Sequence, residues 1–296
     1  MVYLGQREVA PHQPPYLCAE IGINHDGSLE RALWLIDQAQ LAGAHAVKFQ
    51  KRTPELAVPR SEWDKPKETP WGETMPYIEY KRHMEFGRAE YDAIAQRCKS
   101  VGIDWFASAW DEPSVDFLEQ YVPIAYKIGS PSVTDKPLID RIIKTGRPVV
   151  VSTGMSTIYE VEQIVWWLHD ILDRVVLLHC TSIYPCPPDK MNLSMIRTLR
   201  ETYPRLPIGY SGHERGTDHV AAEVALGACF LERHFTKDRF AKGSDHAASL
   251  EPWQFQDLSV KANRTWLALG NGEKQVYDEE RTNAAKLRRT LFQEVH

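Results

Sequence analysis

The N-terminal sequence YLCAEIGINHDGS places a carboxylate, Glu20, inside an apolar run that ends in a polar Asn-His-Asp-Gly turn. Moving an ionised carboxylate out of water is costly unless the group is paired or used in function. Glu20 therefore requires either a structural partner or a chemical role.

Two lysines and several serines lie in or directly after other short apolar runs. Lysine ammonium groups supply point charges and serine hydroxyls supply hydrogen-bond donors, a combination that suits a phosphorylated anion. The residues concerned are Lys48, Lys127, Ser108, Ser130, Ser152 and Ser211. Either lysine alone is more often part of a structural ion pair, so the prediction depends on their lying together.

Two histidines, His213 and His234, end successive strand-like segments. Adjacent strands are only about 5 Å apart, so both imidazoles are able to reach one divalent cation. Catalytic zinc usually has three protein ligands, so an octahedral ion such as manganese or magnesium, completed by water and substrate, is favoured. The alternative is that each histidine is a hydrogen-bonded core residue.

The order of elements predicts a scaffold that brings these residues together. Eight β-rich segments alternate with segments whose apolar residues recur at the three- and four-residue spacing of helices. The strand segments are YLCAEIG, HAVKFQ, DWFASAW, IAYKIGS, PVVVSTG, VVLLHCT, PIGYSGH and CFLERHF. They predict a (β/α)8 TIM barrel, a catalytic domain at residues 1–270. An open doubly wound sheet is the alternative, but no GxGxxG motif follows the first strand.

Alternation along the strands predicts which side chains face the barrel interior. Barrel enzymes carry their chemistry at the C-terminal ends of the strands, so we expect one mouth to collect the polar residues that share a face. The predicted set is Glu20, Lys48, Gln50, Lys127, His179, Ser211, His213 and His234.

Two segments fall outside the repeating pattern. Residues 51–87 follow the second strand, are rich in proline, charge and aromatic residues, and are too long for an ordinary βα loop. We predict that they form a lid or a wall of the pocket, with a solvated excursion as the alternative. Residues 271–296 form a charged, helix-prone tail that either packs on the barrel or is disordered.

The composition of the 296-residue chain limits its partners. With 43% hydrophobic and 25% charged residues it is typical of a globular domain, and its net charge of −5 supplies no basic field for nucleic acid. It carries neither a signal-peptide pattern nor an apolar stretch of about 20 residues. We therefore expect a soluble, cytoplasmic protein that binds neither nucleic acid nor membranes and that has no disulfides.

From about Ala19 to Pro252 the sequence resembles the N-acetylneuraminate (sialic acid) synthase family. The motifs that carry the resemblance are AEIGINHDGS, AGAHAVKFQ, YKIGS, STGM, LHCTSIYP, SGH, LERHFT and GSDHAASLEP. The resemblance implies a (β/α)8 barrel that condenses phosphoenolpyruvate with an unphosphorylated open-chain sugar aldehyde, such as N-acetylmannosamine, and releases phosphate. It also implies a homodimer and a divalent metal, manganese first, with magnesium or cobalt as alternatives.

The resemblance further implies a role for each matching residue. Phosphoenolpyruvate would be bound by Lys48, Ser108, Lys127, Ser130, Ser152, Ser182 and Ser211. The metal would be bound by His213 and His234. The sugar would be bound by Glu20, Gln50, Tyr184 and Asp245, with Glu20 also moving a proton. The catalytic set would be Glu20, Lys48, Lys127, His213 and His234.

The chain also departs from the family pattern. Ser132 stands where a glutamate is frequent, and Gly212 stands where an aspartate often precedes the metal-binding histidine. Family members usually continue into a small antifreeze-like domain that reaches over the partner subunit's site, whereas this sequence ends at His296. We therefore expect no antifreeze-like domain in this chain: either the sequence is a truncated form of a longer protein, or the site is closed otherwise, with the 51–87 insertion as the candidate.

Three alternative functions remain open. A Schiff-base aldolase would use Lys48 or Lys127 with its pKa lowered by desolvation. A related synthase of the octulosonate or heptulosonate type would use a phosphorylated sugar and need an additional basic site, for which Arg52, Arg60 and Lys81 are candidates. A non-catalytic barrel that binds sugar phosphates would have no need for the two histidines.

Overall fold

Eight parallel strands form a closed barrel in the computed structural model of the chain, which describes residues 2–290. The strands are β1 (Tyr16–Gly22), β2 (Ala46–Lys51), β3 (Asp104–Ala109), β4 (Tyr126–Ile128), β5 (Val149–Ser152), β6 (Val175–Cys180), β7 (Ile208–Gly212) and β8 (Phe230–His234). Each strand pairs with the next, and β8 pairs with β1. The predicted (β/α)8 TIM barrel is confirmed, and every predicted strand segment contributes one barrel strand.

A helix follows each barrel strand and packs on the outside of the barrel. These helices are α1 (Leu29–Leu41), α2 (Arg88–Val101), α3 (Glu112–Glu119), α4 (Lys136–Ile143), α5 (Ile158–Trp167), α6 (Ser194–Thr202), α7 (Val220–Ala225) and α8 (Pro252–Leu269). Local signals fix their ends, as where Ser28 caps α1 and Thr157 with Glu160 forms a capping box at α5. Helix α2 ends at Gly102, whose φ of +72° is the left-handed conformation that glycine adopts at least cost.

The interior of the barrel has an apolar lower half. Its buried cluster includes Phe106 and Phe230, which fill the space near the N-terminal ends of the strands. A hairpin of two short strands, Val2–Leu4 and Arg7–Val9, packs three apolar side chains into the same cluster and closes the bottom of the barrel. The cavity lined by the predicted polar residues lies at the opposite mouth.

The 51–87 insertion has secondary structure of its own. It consists of helices Pro54–Ala57 and Tyr77–Met84, a 3₁₀ turn at Arg60–Glu62 and a hairpin of strands Pro66–Glu68 and Thr74–Pro76. Tyr80 and Met84 are buried against Ile23, which directly follows β1. The insertion thus packs on the barrel at the mouth that carries the polar side chains.

The remaining elements are short and lie outside the barrel. They are helices Pro188–Met191 and Asp278–Leu287 and 3₁₀ turns at Ser130–Ser132, His169–Arg174 and His246–Ala248. The helix in the predicted tail has no buried residue, and residues 291–296 of that tail lie outside the described part of the chain. No helix within residues 2–290 combines the length and the apolar character needed to cross a bilayer.

Candidate active site

Side chains from all eight barrel strands line one cavity of about 210 Å³ at the barrel mouth. Twelve of the thirteen predicted site residues are among them: Glu20, Lys48, Gln50, Ser108, Lys127, Ser130, Ser152, Ser182, Tyr184, Ser211, His213 and His234. The thirteenth, Asp245, lies just behind the cavity wall, where its Oδ2 atom is 3.6 Å from Nδ1 of His234.

The register of the barrel explains how residues far apart in sequence meet. Parallel pairing of β1 and β2 places Glu20 beside Lys48, and pairing of β8 with β1 places His234 beside Glu20. Further round the barrel, Ser108 of β3 is in register with Lys127 of β4. Side chains on one face of a strand recur every second residue, so these registered pairs all point into the interior.

Four buried charges form the centre of the site. Lys48 Nζ is 2.6 Å from Oε2 of Glu20 and 3.7 Å from Oε1 of Glu232. Lys127 Nζ is 3.3 Å from the same Glu232 oxygen, which also accepts a hydrogen bond of 3.1 Å from the Ser211 hydroxyl. Two carboxylates and two ammonium groups thus balance each other, and the buried Glu20 has the partner that its position in an apolar strand requires.

These interactions set the protonation of the cluster. Burial opposes ionisation of Glu232, but the charges of Lys127 and Lys48 prevail and lower its pKa to about 2. Burial also opposes the charged form of Lys48, yet the two carboxylates raise its pKa above the ordinary value. Burial raises the pKa of Glu20, and the nearby charge of Glu232 adds to this effect while Lys48 opposes it. Glu20 is accordingly the carboxylate of the site that protonates most readily.

Serine hydroxyls also line the cavity. The Ser130 hydroxyl accepts a 3.0 Å hydrogen bond from the Gly154 amide, and the buried Ser152 hydroxyl has no hydrogen-bond partner among the described residues. A Cβ atom at Gly154 would overlap the Ser182 and Ser130 hydroxyls, so only glycine fits there. Among these serines, Ser152 thus keeps an uncommitted hydroxyl donor in the cavity that the two lysines line.

The two histidines lie side by side, with ring centroids 5.3 Å apart. Nδ1 of His213 is 2.9 Å from the Thr181 carbonyl oxygen, to which it donates a proton, so Nε2 keeps its lone pair. Nδ1 of His234 is buried and makes no hydrogen bond within residues 2–290. The Tyr184 ring packs against both imidazoles, at 4.0 and 5.7 Å between centroids.

This pair fits a divalent cation. Burial lowers the pKa of His234 to about 4, which keeps its imidazole neutral as a metal ligand must be. Nδ1 of His234 makes no hydrogen bond among the described residues, although Oδ2 of Asp245 lies 3.6 Å away, and the Nδ1 bond of His213 leaves its Nε2 atom available as a ligand. No group of three or more His, Cys, Asp or Glu side chains suited to a metal occurs within residues 2–290. A bound ion would therefore take its other ligands from water and substrate.

The prediction that His179 faces the mouth is wrong. On β6 the inward positions near the mouth belong to Leu178 and Cys180, so His179 points to the surrounding helices. Its Nε2 atom is 2.8 Å from the Met191 carbonyl oxygen, and its ring stacks at 5.7 Å on Tyr210. It is a hydrogen-bonded residue of the outer layer.

Six residues that line the cavity were not predicted as site residues: Trp110, Gly129, Pro131, Met155, Cys180 and Glu232. Glu232 had a signal in the sequence, since it shares a strand face with His234 and is a charge inside an apolar strand. The sequence does not show that it bridges two lysines from other strands. Cys180 resembles an ordinary small core residue, and Trp110 directly follows the end of β3.

Comparison with known proteins gives concordant matches. A model of the NeuB family matches residues 35–274. The chain is 38% identical to an N-acetylneuraminate-9-phosphate synthase of Homo sapiens, over 98% of this chain and 80% of that protein. It is 32% identical to an N,N'-diacetyllegionaminic acid synthase of Legionella pneumophila, over 93% of this chain and 79% of that protein.

Solved structures agree with the sequence comparisons. A sialic acid synthetase of Leptospira borgpetersenii, solved in complex with citrate, superposes with a TM-score of 0.86 at 30% identity and covers 98% of both chains. A truncated 3-deoxy-D-arabino-heptulosonate 7-phosphate synthase of Thermotoga maritima superposes with a TM-score of 0.67 at 14% identity. The superposition covers 91% of this chain and 92% of the synthase, so the two proteins share the fold.

Proposed function

The chain belongs to the NeuB family, and from that premise we propose that it condenses phosphoenolpyruvate with a sugar aldehyde, giving a sialic-acid-like 2-keto-3-deoxy acid and phosphate. The observation that carries the proposal is the arrangement at the barrel mouth. Two buried lysines and several serine hydroxyls lie beside two adjacent imidazoles in a single cavity.

Phosphoenolpyruvate is the substrate that suits the lysine and serine side of the cavity. Its phosphate and carboxylate carry the negative charge for which Lys48 and Lys127 are placed, and the hydroxyl of Ser152 is free to donate to its oxygens. The Ser130 hydroxyl, 3.6 Å from Sγ of Cys180, lines the same cavity. Ser108, Ser182 and Ser211 complete this shell.

The acceptor sugar is assigned to the opposite side of the cavity, next to Glu20, Gln50, Tyr184 and Asp245. A divalent metal, manganese first and magnesium or cobalt as alternatives, would be held by His213 and His234 and would act as a Lewis acid on the aldehyde oxygen. The homodimer, the cytoplasmic location and the lid role of the 51–87 insertion remain predictions.

Charge develops at two atoms during the reaction, C2 of phosphoenolpyruvate and the former aldehyde oxygen, and we assign a carboxyl group of the cavity to each. C3 of phosphoenolpyruvate attacks the aldehyde carbon, which leaves positive charge at C2 and a new hydroxyl oxygen at the former aldehyde. Glu232 lies between the two lysines that bind the substrate anions, where its carboxylate stabilises the positive C2 atom. Glu20, the carboxyl that protonates most readily, moves a proton on the acceptor side.

Water then adds to C2, and the C2–O bond to phosphate breaks to give the 2-keto acid. Lys48 and Lys127 stabilise the departing phosphate. The raised pKa of Lys48 keeps its amine protonated, which suits anion binding and disfavours the alternative of a Schiff-base aldolase, whose lysine must be a free amine.

The test is phosphate release from phosphoenolpyruvate in the presence of N-acetylmannosamine, with manganese and with excess chelator. We expect release that requires both the sugar and the metal, and loss of manganese binding in His213→Gln and His234→Gln. Trapping of a covalent keto-acid adduct by borohydride, in place of phosphate release, would instead support the aldolase.

A further inference from the structure

We propose that the buried ion pair between Arg233 and Glu214 positions the two histidines of the candidate metal site, His213 and His234. Arg233 and Glu214 are thus positioning residues that lie outside the cavity and act through their chain neighbours. This inference rests on the proposed function, in which the histidine pair holds a divalent cation.

Each partner of the ion pair is the chain neighbour of one histidine. Glu214 directly follows His213, and Arg233 directly precedes His234. Successive side chains of a strand point to opposite faces, so Arg233 points away from the cavity that His234 lines. A shift of either charged side chain is therefore passed through the backbone to a histidine.

The registered pairing of β7 with β8 ends at Gly212 and Arg233, one residue before the histidines. Beyond this point the two segments have different neighbours. His234 is in register with Glu20 of β1. The His213 carbonyl oxygen accepts a 3.0 Å hydrogen bond from the Cys186 amide in the loop after β6.

The Arg233–Glu214 ion pair joins these two segments beyond the last registered pair. Their side chains are 0% and 3% exposed, and Nη2 of Arg233 contacts Oε1 of Glu214. The other carboxylate oxygen of Glu214 accepts a 3.0 Å hydrogen bond from the Tyr210 hydroxyl. Nη2 of Arg233 also contacts Glu223 of α7, and its Nη1 donates to the Glu232 carbonyl oxygen at 3.3 Å. Because separating buried charges is costly, we expect this arrangement to be fixed.

Space for the ion pair depends on Gly212, the residue before His213. A Cβ atom at this position would overlap the Arg233 guanidinium and the Glu214 carboxylate. The glycine therefore permits the guanidinium of β8 to reach the segment that carries His213. Adding a single methyl group here should displace the ion pair while every charge is kept.

A metal site with two protein ligands depends on the separation of those ligands. The ring centroids of His213 and His234 are 5.3 Å apart. His213 is oriented by the bond from its Nδ1 to the Thr181 carbonyl oxygen, but that bond does not fix its distance from His234. Residues that orient metal ligands from outside typically change metal affinity by roughly ten- to a hundredfold when they are replaced.

Two matched variants, Glu214→Gln and Glu223→Gln, separate positioning from stability. Each removes one of the two carboxylates that contact Arg233 and leaves the other, so the guanidinium keeps a buried partner in both. Glu214 is the chain neighbour of His213, whereas Glu223 lies on α7. Urea denaturation measures the loss of stability in each variant, so that the two are compared under conditions in which both are folded.

The experiment is a titration of the full chain with Mn²⁺, in which electron paramagnetic resonance measures the free ion. We expect Glu214→Gln to raise the Kd for Mn²⁺ roughly ten- to a hundredfold and Glu223→Gln to change it less than about twofold. Gly212→Ala should raise it as Glu214→Gln does. The Mn²⁺ concentration for half-maximal phosphate release should rise with the Kd, whereas kcat at saturating Mn²⁺ should change much less.

An unchanged Kd in Glu214→Gln and Gly212→Ala, or an equal rise in Glu223→Gln, would overturn the positioning role and leave the synthase proposal intact. Absence of Mn²⁺ binding by the wild type would instead overturn the metal assignment of the proposed function. In that case crystal structures of the wild type and the two glutamine variants decide the positioning role. A separation of the His213 and His234 rings that changes in Glu214→Gln alone supports it, and an unchanged separation refutes it.

Discussion

Glu232 is the residue on which the charge balance of the cavity depends. It is the carboxylate that contacts both lysines, and the bonds to Lys127 and Ser211 hold its Oε1 atom while Oε2 has no hydrogen-bond partner among the described residues. A fixed negative charge with a free oxygen, placed between two anion-binding lysines, is suited to a transition state that carries positive charge at C2.

We therefore expect Glu232→Gln to lower kcat by roughly two orders of magnitude, the scale found when one electrostatic group of an active site is removed. The KM for phosphoenolpyruvate should stay the same or fall, because the lysines lose a competing anion. Steady-state kinetics at saturating sugar measure both parameters. Ser211→Ala, which keeps the charge, is the control and should have a much smaller effect. A higher KM with unchanged kcat would mean that Glu232 only orients the lysines.

At the residue scale, the sequence predicts which side chains face inward where the strand alternation is clear. Glu20 and Lys127 each interrupt an apolar strand with a single polar residue, and Lys48 shares one face of β2 with Gln50, so the inward face is unambiguous. On β6 two polar residues, His179 and Cys180, are adjacent, and the alternation does not decide between them. The bridging role of Glu232 depends on contacts between strands that are distant in sequence, which only the closed barrel defines.

At the element scale, a second buried charge cluster joins β7, β8 and α7. Arg233 is fully buried and forms ion pairs with Glu214 and Glu223, and Glu214 also accepts a 3.0 Å hydrogen bond from the Tyr210 hydroxyl. A Cβ atom at Gly212 would overlap the Arg233 guanidinium, so the departure from the family pattern at Gly212 makes room for this cluster.

Removing the cation from this cluster leaves two buried carboxyl groups, Glu214 and Glu223, without the guanidinium that pairs with both. We expect Arg233→Met to lower the free energy of unfolding by about 3–5 kcal/mol, as measured by urea denaturation. Arg97→Met, which breaks an exposed ion pair with Asp37, should cost less than about 1 kcal/mol and is the control. Similar small losses for both variants would contradict a structural role for the buried cluster.

Element order is readable from the sequence because each βα unit repeats the same pattern of an apolar strand and an amphipathic helix. The hairpin of Val2–Leu4 and Arg7–Val9 was not predicted, since strands of three residues are too short to display alternation. The internal structure of the 51–87 insertion was not predicted either. Its strands are equally short, and its buried contacts are with the loop after β1, which sequence spacing does not reveal.

At the scale of the whole molecule, the apolar residues that stabilise the barrel and the polar residues of the candidate active site lie toward opposite ends of the barrel axis. The apolar lower half and the N-terminal hairpin hold the strands together, and the charged upper half carries the site. Neutral histidines lie near both ends, with His25 buried and His45 partly buried. His25 follows β1 and stacks on Phe86 at 4.0 Å, and His45 precedes β2 and accepts a 2.9 Å hydrogen bond from the Leu17 amide through Nδ1.

The burial of His45 predicts a specific dependence of stability on pH. Burial, with a smaller effect of Arg7, lowers its pKa to about 4, whereas an unfolded histidine has a pKa of about 6.5. Below pH 6.5 the unfolded chain therefore binds the additional proton, and stability contributed by this site falls as the pH falls toward 4. In His45→Asn, whose amide oxygen is able to replace Nδ1 as the acceptor, this loss is absent.

We expect the free energy of unfolding of the wild type, relative to His45→Asn, to decrease by up to about 1.4 kcal/mol for each pH unit below 6.5. Urea denaturation of both proteins from pH 7.5 to 5 measures the difference, and comparing two variants at each pH cancels the titration of the buried carboxylates that they share. His12→Asn replaces an exposed imidazole and should run parallel to the wild type. Parallel curves for the wild type and His45→Asn would show that His45 takes up its proton in the folded barrel as readily as in the unfolded chain, which its buried hydrogen bond to Leu17 opposes.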